Sequence, residues 1–169
     1  SAQFQRGFAT DTLIVSSGGG PGFGGGNIGA SSGFKLFVSD TQTINSIENV
    51  SMSIAIIQRI GKIKSGETVR NITIVGVDFA NYSSIYSSTF VAESGQIPLN
   101  PDNETVVIGK RVSDPWENGT ILFNANDTVK IIWTNATARP PIDKTRSGHI
   151  EAVLKEIGGF SSGGPSVTS

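Results

Sequence analysis

TVRNITIVGVD (residues 68–78) and NPDNETVVIGKRV (residues 100–112) decide how this chain folds. The first predicts a strand over Val69–Val77 and the second a strand over Thr105–Ile108. Both are dominated by β-branched residues, which fit a pleated, partly buried surface, and both end at Gly or Asp. The stretch between them, Asp78–Asp102, is too polar for core and too long for a hairpin loop. Within it Phe79, Tyr82, Ile85 and Tyr86 predict an apolar patch beneath a turn of helix, a satellite of the main core.

Upstream, Ser51–Lys64 predicts a long, partly alternating strand (Met52, Ile54, Ile56) that turns at Lys64-Ser65-Gly66-Glu67 and pairs with the return strand as a hairpin. In the return strand Ile72 and Ile74 point one way and Val75 and Val77 the other, so its end should be covered on both faces. Ser39–Val50 predicts a short helix lying across a sheet. Ser39 and Gln42 have capping-box spacing, and Ile44, Ile47 and Val50 fall on one face. Thr10–Ser17 (TDTLIVSS) predicts a strand, followed by the Gly-rich stretch 17–33.

Downstream, a helix beginning at Lys110 is cut short by Pro115. TILFN (120–124), a turn at Asn124–Asp127 and the strand TVKIIWT (128–134) follow. A loop holding Pro140, Pro141 and Asp143 lengthens the last hairpin. In HIEAVLKEI (149–157), Ile150, Ala152 and Leu154 alternate with Glu151, Val153 and Lys155, which predicts a half-exposed strand. The fold class expected is α+β: a mixed or antiparallel β-sheet built from hairpins, with one or two short helices packed on it. Residues 10–159 form one core domain containing a flexible Gly-rich loop at 17–33. Residues 1–9 lead in from a membrane, and 160–169 are a flexible tail.

Composition narrows the function classes. Of 169 residues only 16 % are charged, against about 25 % in ordinary soluble domains; Ser, Thr, Asn and Gly fill the difference. The net charge is −1 with no basic run, so nothing marks a nucleic-acid partner or an anionic membrane surface. One histidine and no cysteine leave little with which to build a zinc, haem or iron–sulfur site, and no metal or cofactor is expected. There is no 18-residue apolar run, so the chain as it stands does not span a bilayer. It begins at Ser1 without Met or a signal-peptide pattern and reads as a processed or excised piece.

Catalytic motifs fare no better. Gly20, Gly22 and Gly25 spell GxGxxG after a strand, but such a loop should open a helix, and NIGASSG follows, with no acidic residue at the end of a second strand. No Gly-Lys-Ser/Thr completes a phosphate loop, and no GxSxG elbow exists. His149, at a strand start, has no acidic pair at catalytic spacing and reads as an ordinary strand residue. Asp102-Asn103-Glu104 and Asn124-Ala125-Asn126-Asp127 offer oxygen ligands without the spacing or the glycine of a calcium loop, and read as solvated turns. No enzyme is expected.

The informative pattern is Asn-x-Ser/Thr. Asn49, Asn71, Asn81, Asn103, Asn118, Asn126 and Asn135 each start such a triplet, with no Pro between. Eleven asparagines and 35 Ser/Thr in this length would give roughly two by chance, so seven predicts a glycosylated, extracytoplasmic chain. Eukaryotic secreted domains of this size commonly carry disulfides. A cysteine-free, sequon-rich chain points instead to an archaeal cell surface.

The order of phrases then becomes familiar. It runs from strand TDTLIVSS, through a polar insertion and Ile44-Asn45-Ser46-Ile47-Glu48-Asn49-Val50, to a hairpin ending Val75-Gly76-Val77-Asp78. Tyr82–Tyr86, Gly95 to Asp102, Val106-Val107-Ile108-Gly109 and a last hairpin closing on Ala152-Val153-Leu154-Lys155-Glu156 complete it. Over about Thr10–Gly159 this resembles the MacB-like periplasmic core domain of ABC-transporter permeases of the FtsX/LolC/MacB superfamily. The chain departs from the family in its Gly-rich insertion, in Gly95-Gln96 and Asn126-Asp127 where Gly-Arg and Gly-Asp are usual, and in stopping before a second subdomain. The resemblance implies a non-catalytic domain on the extracellular face of the membrane, relaying ATP-driven motion to a substrate or partner. Its own partners would be the membrane helices of the same permease, a second copy of that permease and, indirectly, a cytoplasmic ATPase. The rival expectation is a glycosylated archaeal surface or filament-associated β-sandwich: a pilin-like, archaellum-stator or S-layer-associated protein.

Overall fold

The computed structural model describes residues 36–135 and 138–156. The strand expected at Thr10–Ser17, the Gly-rich stretch 17–33, the lead-in 1–9 and the tail 160–169 lie outside the described residues. Among the described residues the architecture is α+β: a curled, mostly antiparallel six-stranded sheet with three short helices.

The expected hairpin is present as β1 (Ile57–Ser65) and β2 (Thr68–Gly76), paired along their whole length. Ser65 opposes Thr68, leaving Gly66-Glu67 as a two-residue loop, and Gly66 has φ 56°. A positive φ at the first central residue alone is the type II′ pattern, whose twist matches that of the strands. β1 begins later than the alternation at Met52–Ile56 suggests because its partner β2 stops at Gly76, opposite Ile57.

β1 also pairs with β5 (Thr128–Asn135), and β5 with the 13-residue β6 (Ile142–Leu154), which gives the path β2-β1-β5-β6. β6 starts seven residues before the apolar phrase at His149. Ile142–Ser147 are exposed, so the backbone ladder with β5, not apolar side chains, makes this half a strand. The loop expected around Asp143 is therefore shorter than the proline pair suggested.

The second half of β6 is where the fold is locked. His149 N–H donates to the Glu104 carbonyl (2.7 Å), and Ile150 N–H donates to that of Asp127 (2.9 Å). Successive strand residues present their amides to opposite edges, so β4 (Thr105–Ile108) and β5 flank β6 on opposite sides. β4 runs parallel to β6 while β3 (Ala92–Gly95) runs antiparallel to it. Between Val106 and Val107 the register slips by one residue, so that Glu151 is left over as a bulge.

The bulge changes which side chains share a face. A regular strand would put Ile150, Ala152 and Leu154 together and leave Val153 outside. With Glu151 looped out, Ile150 and Val153 join one apolar layer and Leu154 joins the other, and Ala152, Val153 and Leu154 are all buried. The half-exposed strand expected at 149–157 is thus covered on both faces at its end.

The first layer comprises Ile63, Ile108, Val112, Phe123, Val129, Ile150 and Val153, with Ile72 and Ile131 packed against it. The second is aromatic: Tyr82, Tyr86 and Phe90 with Leu154. Its helix, α2 (Phe79–Ile85), starts where Asp78, in extended conformation, accepts the Asn81 N–H on its carboxylate at 2.9 Å. Tyr82 and Tyr86 stack at 4.6 Å between ring centroids, and Phe90 meets Tyr82 edge-on at 5.1 Å. The satellite cluster expected in the long connection is this layer.

α3 (Lys110–Ser113) stops at Asp114-Pro115, as proline there requires. Lys110 pairs with Glu93 of β3 (2.7 Å) and Arg111 with Glu156 (2.9 Å). TILFN forms an irregular loop. Leu122 N–H donates to Ser113 O, the buried Ser113 hydroxyl donates to Phe123 O, and Asp114 accepts the Asn118 and Gly119 amides.

The helix expected at Ser39–Val50 is only Asp40–Asn45, designated α1, and buries none of its residues. Ser39 makes no side-chain cap; Asp40 accepts the Phe37 N–H instead (2.7 Å). Asn49, at φ 68°, turns the chain away before the third apolar position, leaving Ile47 exposed. The three-residue spacing of Ile44, Ile47 and Val50 is therefore not the buried stripe it resembles.

Candidate functional site

Side-chain chemistry in the described residues is spread over surface turns rather than gathered in a cleft. Six of the seven sequon asparagines, Asn49, Asn71, Asn81, Asn103, Asn118 and Asn126, are exposed, and Asn135, at the end of β5, is half-buried. Asn49 and Asn126 adopt positive φ, a conformation Asn tolerates better than most residues. Asn81 lies in the first turn of α2, and Asn103 in the turn before β4. Asn118 accepts the Thr120 N–H (3.0 Å). Asn71 lies in the middle of β2, opposite Lys62. The triplets therefore mark turns, a helix start and an outer strand, places where a sugar has room.

The two oxygen-rich turns spend their oxygens internally. Asp102 Oδ1 accepts the Glu104 N–H (2.8 Å) and the Thr105 hydroxyl (2.9 Å), and these bonds, the Glu104 amide foremost, hold its pKa below the ordinary carboxylate range. Asp127 Oδ2 accepts the Asn124 N–H (2.7 Å), closing the other turn. No group of three or more His, Asp or Glu able to hold a metal occurs among the described residues. His149 has its backbone in the β6 ladders and its Nε2 3.8 Å from Glu151 Oε1. The formal GxGxxG at Gly20–Gly25 lies outside the described residues.

Against the aromatic layer, α2 and the Ile97–Leu99 segment enclose a shallow apolar hollow of ≈ 380 Å³, lined by Phe79, Phe90, Ile97 and Leu99. Burial pushes the Tyr82 pKa up to about 12, with Tyr86 contributing a smaller repulsion, and Tyr86 is raised by burial as well. A tyrosine whose folded pKa exceeds its unfolded value of 10.0 contributes stability that is whole below pH 10 and is lost as pH rises toward the folded value. Stability is therefore expected to decline from about pH 10 to 12. Tyrosinate absorbance should develop together with unfolding rather than at pH 10; free ionisation at pH 10 in the folded chain would contradict this packing.

The feature that sequence reading missed is cationic. Strand register places Lys64 opposite Lys130, and Lys130 opposite Ser147. These residues, with Ser65, Gly66 and Thr128, line a hollow of ≈ 240 Å³. Lys64 and Lys130 are sixty-six positions apart, so no run of basic residues announces them; only the register joins them. No helix among the described residues is long and apolar enough to cross a membrane. Comparison of the sequence with family models and with curated proteins gave no match.

Proposed function

We propose that this chain is the extracytoplasmic domain of an archaeal ABC-transporter permease, a non-catalytic module that relays ATP-driven motion to a substrate or partner beyond the membrane. The observation that carries the reading is the exposure of the sequon asparagines on turns, a helix start and an outer strand. That exposure leaves six of the seven side chains accessible to a glycan. The order of elements supports it too: hairpin, aromatic helix, short parallel strand, then long closing hairpin.

Mechanical relay asks for a member that couples distant parts, and β6 has that form. One 13-residue strand is shared by β5 at its start and by β4 and β3 at its end, so a displacement of either half reaches the other through backbone hydrogen bonds. A single curled sheet with a helix against one face also favours this reading over a two-sheet surface sandwich.

Detergent extraction of native membranes tests it. The full-length protein is expected to copurify with an ATP-binding-cassette subunit, and its intact mass should exceed the polypeptide mass by heterogeneous glycan increments. Recovery in filaments or the cell-wall fraction without an ATPase would replace the permease by the surface-protein reading. A bare polypeptide mass would remove the compartment argument.

A further inference from the structure

We propose that the open face of the sheet binds a tetrahedral oxyanion, a phosphate or sulfate group, between Lys64 and Lys130. In β1 and β5 these two lysines are direct cross-strand partners, and like charges placed opposite one another destabilise a sheet. Lys62 lies two residues before Lys64 on the same face, adding a third positive charge. None of the three makes an ion pair or side-chain hydrogen bond among the described residues. A local rule broken without compensation among the described residues points to a site completed from outside.

The surroundings fit that ligand. Ser147 continues the row next to Lys130, and Ser65 and Thr128 complete the rim, so hydroxyls that can donate to oxyanion oxygens stand beside the ammonium groups. The hollow of ≈ 240 Å³, against a liquid share of about 30 Å³ per water, admits such a group with part of its hydration shell. Lysines act on phosphate as point charges, whereas planar carboxylates favour the arginine fork. The sheet's arginines Arg59, Arg70 and Arg146 are on the opposite face, in register with Ile74, Ile63 and Ile131. The wider field agrees: residues 57–76 and 128–148 hold seven of the chain's thirteen basic residues outside Arg139, but only Glu67 and Asp143 of its fourteen acidic ones. A chain of net charge −1 thus carries a positive sheet, with Lys62, Lys64 and Lys130 on the face of the site and Arg59, Arg70, Lys144 and Arg146 on the other.

Amide correlation spectra of the chain during titration with sodium phosphate or sulfate, at ionic strength held constant with sodium chloride, provide the test. Saturable shifts at Lys64, Thr128, Lys130 and Ser147 are expected with a midpoint on the order of 1 mM. The double variant Lys64→Gln/Lys130→Gln should weaken binding at least about tenfold, while Lys144→Gln, on the other face, should not. Because the double substitution removes a repulsion, it should fold at least as stably as the parent, and phosphate should raise the parent's Tm but not the variant's. Sedimentation with phosphatidylglycerol vesicles, lost in the double variant, would identify a lipid headgroup as the source; phosphate shifts without vesicle binding would identify the free ion. Shifts that grow linearly, match those in chloride, or persist in the double variant would overturn the proposal.

Discussion

Replacing Phe123 by alanine is expected to lower the free energy of unfolding by about 3–5 kcal/mol, the range for deleting a fully buried aromatic ring. Phe123 is 0 % exposed and sits in the first apolar layer among Ile63, Ile108, Val129 and Ile150. It belongs to no strand or helix, so its position depends on the loop bonds around it, chiefly the Ser113 hydroxyl on its carbonyl at 2.7 Å. Removing the ring therefore empties the layer and loosens the connection between α3 and β5 together. Against a total stability of about 5–15 kcal/mol for a typical domain, that is a large share. Urea denaturation followed by far-ultraviolet circular dichroism would measure it. Phe37→Ala, at a ring position 63 % exposed, should cost under about 1 kcal/mol; equal costs at the two positions would mean the core is misplaced.

Gly95→Ala carries the second large effect, about 2–5 kcal/mol, from adding left-handed backbone strain to a clash with fixed atoms. Gly95 has φ 72°, and a Cβ there would run into the Glu151 carbonyl oxygen, with the Ala125 Cβ at 2.9 Å and the Ala152 Cα at 3.0 Å. Two of the three obstacles are β6 backbone beside the bulge, so β3 would have to leave β6. Gly119→Ala separates the contributions. It has φ 83° with nothing within 4 Å, so only the conformational cost of about 1–2 kcal/mol applies. Denaturation midpoints of both variants, with amide exchange along Ala92–Gly95, distinguish clash from strain; a Gly95 variant no worse than the Gly119 variant would refute the close approach.

Local signals in the sequence were strong where neighbours in the chain are neighbours in the fold. The β1–β2 hairpin, with its turn expected at Lys64–Glu67 and found one residue later at Ser65–Thr68, the strand Thr105–Ile108 and the aromatic helix were all legible, because each is decided by residue type within a short window. The alternation at 149–157 was legible as a strand but misassigned in burial, because one residue in a ladder with a non-local partner resets the parity of all that follow. Ile142–Ser147 has no apolar pattern and became a strand only through β5. Ile44, Ile47 and Val50 had the right spacing for a buried helix, and Asn49 at positive φ broke it. The Lys64–Lys130 pair could not be read at all without the register of two strands far apart in sequence.

β2 has a further consequence. Among the described residues it pairs with β1 alone, so nine residues of backbone run along the margin of the sheet. Such a margin is a template onto which another chain can add itself, and β2 carries neither proline nor bulge to discourage this. Asn71 lies one residue before its midpoint. Were Asn71 glycosylated, the bulky hydrophilic saccharide would stand as a fender beside the margin, keeping neighbouring copies from zipping together. A polypeptide with no sugar at Asn71 would lack that protection where its backbone is most inviting.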